Sequence, residues 1–305
     1  MEKVLFILGP TAVGKTDISV ALAKKFNGEI ISCDSVQIFK GLNIGSAKIT
    51  KEEMQGVKHH LIDIKDPSET FTAYEYATAI KEKIKEISSK GKLPIVVGGT
   101  SLYVKSIILN YNFGGVGINE NLRKQLEEVL KTDGVSKLYE MLLKLDCELA
   151  EKVDKNNPLR LMRAIEIASE KGEKTKAESD IDSLVFALVK ERNMLYEKIN
   201  LRVDLMLKNG LVKEVENLKK QGLTKENQAM KAIGYKEVLD YLDGNISYEK
   251  MVDEIKQHSR NYAKRQLTFL RGMDNVNYVD AVDKEKAFNE ICEKVEEWLK
   301  WKKQN

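Results

Sequence analysis

Residues 9–16 read Gly9, Pro10, Thr11, Ala12, Val13, Gly14, Lys15 and Thr16, and fit GxxxxGK[ST] at every defined position. In such a loop the glycines let successive backbone N–H groups point inward, and a helix N-terminus behind them adds partial positive charge. Lys15 supplies a point charge for an outer phosphate, and Thr16 a hydroxyl for Mg²⁺. The chemistry implied is the binding of a polyphosphate. Asp34 is the next residue of interest. A carboxylate beside a phosphate site either holds Mg²⁺ through water or acts as a general base. The competing reading is a turn or cap aspartate. Thr100 follows Gly98 and Gly99 and either donates to a substrate or caps the helix starting near Ser101. A third feature is residues 255–271, IKQHSRNYAKRQLTFLR, which contain no acid. At 100° per residue, Arg260, Lys264 and Arg271 fall within roughly 40° of one another. Such a stripe is usually a solvated helix face, but it also suits phosphate contacts. Arg160 and Arg163 form a smaller pair of the same kind.

The phosphate loop needs a strand before it and a helix after it. Val4–Leu8 is an apolar run of strand length, and residues 16–26 carry a helical apolar face in Ile18, Ala21, Leu22 and Phe26. Strands are also expected at Glu29–Ser32, His60–Ile64 and Pro94–Val97, with a helix over Thr72–Ser89 and a long loop over 36–58. This alternation predicts an α/β core, a parallel sheet flanked by helices. Ligands then bind beyond the carboxyl ends of the strands, where Asp34, Asp66 and Thr100 are expected. From about residue 114 to 182 no strand-like run occurs, and helices are expected at 119–131, 134–145, 147–153 and 158–171. A strand returns at Ser183–Val189. Helices follow at 193–208, 210–221, 235–242, 247–271 and 284–302, with a short strand at Val276–Val279. The economical division is a first core part (1–113), an inserted all-helical lobe (114–182) and a second core part with basic C-terminal helices (183–305).

The chain has 305 residues, enough for a substantial core. With 50 Lys+Arg against 47 Asp+Glu, its net charge of +3 neither demands nor excludes a nucleic-acid partner. No apolar run is long enough for a membrane helix, and with the first strand following Met-Glu-Lys at once no signal peptide is expected. Cys33, Cys147 and Cys292 form no metal or disulfide pattern, so reduced thiols in a cytoplasmic protein are expected.

With these residues in place, the chain resembles the bacterial tRNA dimethylallyltransferases (tRNA isopentenyltransferases) over nearly its whole length. The blocks are GPTAVGKT (9–16), ISCDSVQIFKGLNIGSAK (31–48), HHLIDI (59–64), VGGTSLY (97–103) and RLMRAIE (160–166), then LYEKINLRVDLMLKNGLVKEV (195–215), MKAIGYKE (230–237) and RNYAKRQLTFLR (260–271). The resemblance implies transfer of a dimethylallyl group from dimethylallyl diphosphate to the exocyclic N6 of the adenine just 3′ of the anticodon. It implies that residues 9–16 grip the diphosphate leaving group rather than ATP, with Lys15, Thr16 and Mg²⁺ neutralising it. Asp34 matches the family's general base, and Ser35, Val36 and Gln37 extend the strip that touches the target nucleotide. Thr100 matches a tRNA-contacting threonine at the reaction channel, and Arg202 a diphosphate-gripping arginine. Arg123, the segment Leu159, Arg160, Leu161, Met162 and Arg163, and the segment Lys231, Ala232, Ile233, Gly234, Tyr235 and Lys236 fall where the family contacts tRNA. Arg260 and Lys264 are placed with them. The lobe would clasp the anticodon stem-loop, and the enzyme is expected to act as a monomer without a membrane.

Some positions depart from the family pattern. Leu159 stands where Gln is common, His258-Ser259 replaces a more usual threonine, and Phe269 replaces a common Trp. The C-terminal KWKKQN lacks Cys/His spacing, so a bacterial-type enzyme without a zinc finger is implied. The rival readings are a transferase acting on free adenine nucleotides, a P-loop kinase for a small metabolite, and a non-catalytic tRNA-binding protein.

Overall fold

In the computed structural model, residues 1–108, 119–170 and 181–300 are described. Contacts divide the chain into two compact units, Met1–Ile108 with Ser179–Asn305, and Leu109–Glu178. The expected boundary at 113/114 lies outside the described residues, as do residues 301 and 302 of the last expected helix.

The first unit starts with β1 (Glu2–Leu8), α1 (Lys15–Lys25), β2 (Gly28–Cys33), α2 (Lys51–Met54), β3 (His59–His60), α3 (Ala73–Ser89), β4 (Leu93–Gly98) and α4 (Ser101–Ile108). The second unit holds α5 (Glu120–Asp133), α6 (Val135–Leu145), α7 (Cys147–Lys152) and α8 (Pro158–Ser169). The chain returns to the first with β5 (Ile181–Val189), α9 (Arg192–Lys208), α10 (Leu211–Lys220), a 3₁₀ turn at Ala229–Lys231, α11 (Tyr235–Leu242), α12 (Tyr248–Arg271), β6 (Val276–Asp280) and α13 (Lys284–Lys300). The strands form one parallel sheet in the order β3-β2-β4-β1-β5-β6. This is the α/β architecture expected from the alternation of patterns.

β1 explains the layering. Every side chain from Val4 to Leu8 is fully buried, because a central parallel strand is covered on both faces. Val4, Phe6 and Leu8 point into the core shared with α3, α4 and helices α9–α12. Leu5 and Ile7 point into the other core, built largely with α1 and α13. Each such burial contributes about 2 kcal/mol. α3 starts at Thr72 because of a capping box: Thr72 Oγ1 accepts from Glu75 N at 3.1 Å, and Glu75 Oε2 accepts from Thr72 N at 2.7 Å. Tyr76 on α3 stacks on Tyr103 of α4 with ring centroids 3.7 Å apart, and its hydroxyl donates to Ser32 O of β2.

Two expectations change. The strand at His60–Ile64 is only His59–His60, because Leu61 and Asp63 have φ of 59° and 53°, which an extended strand excludes. The loop over 36–58 carries the short helix α2, started by a Thr50/Glu53 capping box. Among the described residues, no helix is long and apolar enough to cross a membrane.

Candidate active site

The loop between β1 and α1 turns at Gly14, whose φ of 105° is open to glycine and strained for any residue with a side chain. α1 therefore begins at Lys15 with its N-terminus facing the carboxyl edge of the sheet. Thr11, Ala12, Gly14, Lys15 and Thr16 line a cavity of about 320 Å³ there, together with Asp34, Gln37, Arg202, Tyr262 and Gln266. Of the remaining loop residues, Val13 is buried in the core, while the carbonyls of Gly9 and Pro10 accept from Lys15 Nζ at 2.9 and 2.8 Å. The Lys15 ammonium is pushed down to about 8, chiefly by burial and then by Arg202, with Asp34 and Cys33 pulling the other way. Burial also lowers Arg202, whose Nη1 donates to Thr11 Oγ1 at 3.4 Å.

Asp34 sits directly after β2. Its Oδ1 accepts the N–H groups of Val36 and Gln37 at 2.8 and 3.2 Å, so the turn-aspartate reading is correct for one oxygen. Oδ2 has no hydrogen-bond partner among the described residues, which leaves it able to take a proton. Gln37 in turn reaches Ser46 O and Ala47 O at 3.3 Å each.

A second cavity, about 370 Å³, is lined by Ser35, Val36, Ile199, Met206, Lys231, Ala232, Ile233, Gly234, Lys236 and Arg265. It shares Thr11, Asp34, Ser46, Ala47, Arg202 and Tyr262 with the first. The two spaces thus share a wall that includes Asp34, one lined by the phosphate loop and the other by the 231–236 segment.

Several expected site residues are placed differently. Asp66 lines neither cavity and is a turn aspartate, its Oδ1 accepting from Ser68 N at 3.0 Å. Thr100 lines neither cavity; its hydroxyl accepts Ser35 N–H at 3.2 Å and so braces the Asp34 turn. Tyr235 is fully buried and donates to Glu214 Oε1 at 2.7 Å, which removes its side chain from any RNA contact. Arg260 is half-buried with Nη1 2.6 Å from Asn200 Oδ1, while Lys264 is exposed.

In the helical unit, Leu161 and Met162 are core residues, so a side-chain contact with tRNA is excluded for both. Arg123 and Arg163 are both held by the buried Glu166, at 3.0 and 2.9 Å. Leu159 is 70% exposed and Arg160 is exposed beside it.

Tyr262, Gln266 and Glu214 were not singled out from the sequence. Tyr262 lines both cavities, and burial pushes its phenol up to about 12, with Asp34 adding to the shift, so it stays a donor. Gln266 is buried, accepts Thr11 N–H through Oε1 and donates to Gly99 O through Nε2, both at 3.0 Å. Glu214 gathers the N–H groups of Asn43, Ile44 and Gly45. All three lie inside the blocks that carry the family resemblance, which marks the segments and not these side chains. Burial pushes the Cys33 thiol up to about 12, so it is not a nucleophile.

Among the described residues no three His, Cys, Asp or Glu side chains gather to hold a metal ion. The fit is to Mg²⁺ held mainly by phosphate oxygens and water: Thr16 is exposed at the cavity, and the Asp34 and Glu53 carboxylates line the same space.

The profile of the family described as IPP transferase matches residues 37–273. The tRNA dimethylallyltransferase of Bacillus anthracis is 44% identical over 311 aligned positions, covering 100% of this chain and 98% of that protein. The crystal structure of the full-length tRNA isopentenylpyrophosphate transferase from Bacillus halodurans matches with a TM-score of 0.75 and 44% identity, covering 100% of both chains. A eukaryotic dimethylallyltransferase captured acting on tRNA matches with a TM-score of 0.81 and 29% identity, over 93% of this chain and 75% of that one.

Proposed function

The chain belongs to the IPP transferase family, and from that premise we propose that it moves a dimethylallyl group from dimethylallyl diphosphate to N6 of the adenine 3′-adjacent to the anticodon of tRNA, releasing diphosphate. The observation that carries this reading is a pair of cavities that share a wall including Asp34, since a bimolecular transfer needs two binding spaces with a common reacting group between them. The diphosphate lies against the loop N–H groups, Lys15 and the N-terminus of α1, with Arg202 opposite. Thr16, with the Asp34 and Glu53 carboxylates lining the same space, would hold Mg²⁺, which when bound would supply further charge neutralisation for the leaving group. The adenine turns out of its stack, at a cost of a few kcal/mol, and enters the second cavity past residues 231–236. N6 forms a bond to the prenyl C1 as the C1–O bond breaks and its electron pair leaves with diphosphate. The proton from the amine passes to Asp34 Oδ2, and the Tyr262 hydroxyl is a donor on the same wall. Exposed cations such as Lys264, Lys231 and Arg160 hold tRNA phosphates. On this reading the enzyme is a cytoplasmic monomer, and the named substrate of its relatives sets a free-nucleotide transferase aside.

Incubation with dimethylallyl diphosphate and unmodified tRNA, followed by mass analysis of the nucleosides, tests the proposal. Prenylated adenosine and diphosphate should appear in equal amounts. Prenylation of free AMP in preference to tRNA, or ADP formation from ATP matching turnover, would overturn it.

A further inference from the structure

Gln266 is a buried amide on α12, and its two hydrogen bonds go to two different functional loops. Oε1 accepts the N–H of Thr11 in the phosphate loop, and Nε2 donates to the carbonyl of Gly99, each at 3.0 Å. A buried amide that satisfies both its ends in this way fixes the separation of the groups it joins. The residue at 99 is a glycine for the same reason: a Cβ there would overlap Gln266 Nε2 and press on Gly9 O at 2.9 Å. The Gly99 end is tied onward to the general-base turn. The N–H groups of Gly99 and Thr100 donate to Cys33 O at 3.3 and 3.2 Å, and Thr100 Oγ1 accepts the N–H of Ser35 at 3.2 Å. A continuous chain of hydrogen bonds thus runs from the diphosphate cradle through Gln266 to the residues on either side of Asp34. α12 also carries Tyr262 one turn earlier, on the wall shared by both cavities.

We infer that Gln266 is a positioning residue that sets the distance between the diphosphate cradle and the Asp34 carboxylate, and hence between leaving group and nucleophile. This rests on the prenyl-transfer reading above. Displacement at carbon needs the entering amine, C1 and the departing oxygen aligned, and a misplacement of about 1 Å costs on the order of 10²-fold in rate. Neither cavity loses its charged groups when Gln266 changes, so substrate binding and turnover separate.

The test is single-turnover prenyl transfer by wild type, Gln266→Met, Gly99→Ala and the double variant, with binding of tRNA and of dimethylallyl diphosphate measured alongside. Methionine keeps the volume and removes both hydrogen bonds. The expected result is a rate loss of about 10²-fold in Gln266→Met with both affinities near wild type. Gly99→Ala should show a similar loss, and the double variant should be no slower than the slower single one, since both break one bridge. Losses that multiply in the double variant, a wild-type rate in Gln266→Met, or a loss confined to diphosphate affinity would overturn the inference. Should Gln266→Met fail to fold, Gly99→Ala alone decides by the same split between rate and affinity. A wild-type enzyme that transfers no prenyl group would instead refute the functional reading.

Discussion

Asp34 and Lys15 show how one site prepares a weak nucleophile and a highly charged leaving group together. Asp34 spends Oδ1 on two backbone N–H groups and keeps Oδ2 for chemistry. Asn at this position can still accept those N–H groups through its amide oxygen, so Asp34→Asn should fold and bind tRNA normally. It should lose about 10²-fold in single-turnover rate, the usual size of general-base loss, and a near-wild-type rate would remove the assignment. Lys15 gives a pH prediction whose sign is fixed by its environment. Without ligand its ammonium titrates at about 8, because burial and Arg202 disfavour the charge. A bound diphosphate favours the charge and raises that value, so binding takes up a proton once the pH exceeds about 8. Affinity for dimethylallyl diphosphate should therefore be flat below that pH and fall about tenfold per unit above it. Titration calorimetry in buffers of different ionisation heat would detect the proton uptake, and Lys15→Met should abolish the slope.

At the scale of elements, the segment 41–48 is held by a carboxylate rather than by secondary structure. Glu214 on α10 accepts the N–H of Ile44 at 2.8 Å and those of Asn43 and Gly45 at 3.1 and 3.2 Å, and also takes the hydroxyl of Tyr235. Hydrogen bonds to a charged group are among the stronger ones, so Glu214→Ala should cost about 2–3 kcal/mol in urea denaturation. It should also weaken tRNA binding, because Ser46 and Ala47 form part of the wall between the cavities. A stability unchanged from wild type would show that the segment holds itself. This layer of structure was hardly legible in the sequence. The sheet was, since Val4–Leu8 and Pro94–Val97 are apolar runs of strand length, and GxxxxGK[ST] fixes a turn between strand and helix. The strand expected at His60–Ile64 is cut short because the backbone turns at Leu61 and Asp63, which hydropathy does not record. Gln266 was invisible for another reason. It is a single polar residue on an amphipathic helix, and its partner Thr11 is 255 positions away. That Leu161, Met162 and Tyr235 are buried was also hidden, because motif blocks mark where a segment lies and not which of its side chains face the core.

For the whole molecule, a net charge of +3 creates little long-range attraction, so any strong hold on RNA must come from local cations. The exposed candidates are distributed between the two units: Lys264 and Lys231 in the α/β unit, Arg160 in the helical one. Arg260 belongs to a different class, since its guanidinium is half-buried and bonded to Asn200. Counterion release separates these classes. Each phosphate neutralised by a cation contributes about 0.7–0.9 to the slope of log affinity against log salt. Lys264→Ala and Arg160→Ala should each make that slope shallower by about one while weakening all tRNAs alike, and the double variant should lose about two. Arg260→Ala should weaken binding through loss of the Asn200 contact and leave the slope nearly unchanged. Fluorescence anisotropy with a labelled anticodon stem-loop across a salt series gives all four slopes. An unchanged slope in Lys264→Ala would make the basic stripe of α12 a solvated helix face. An unchanged slope in Arg160→Ala would mean that the helical unit contributes no phosphate contact through this residue.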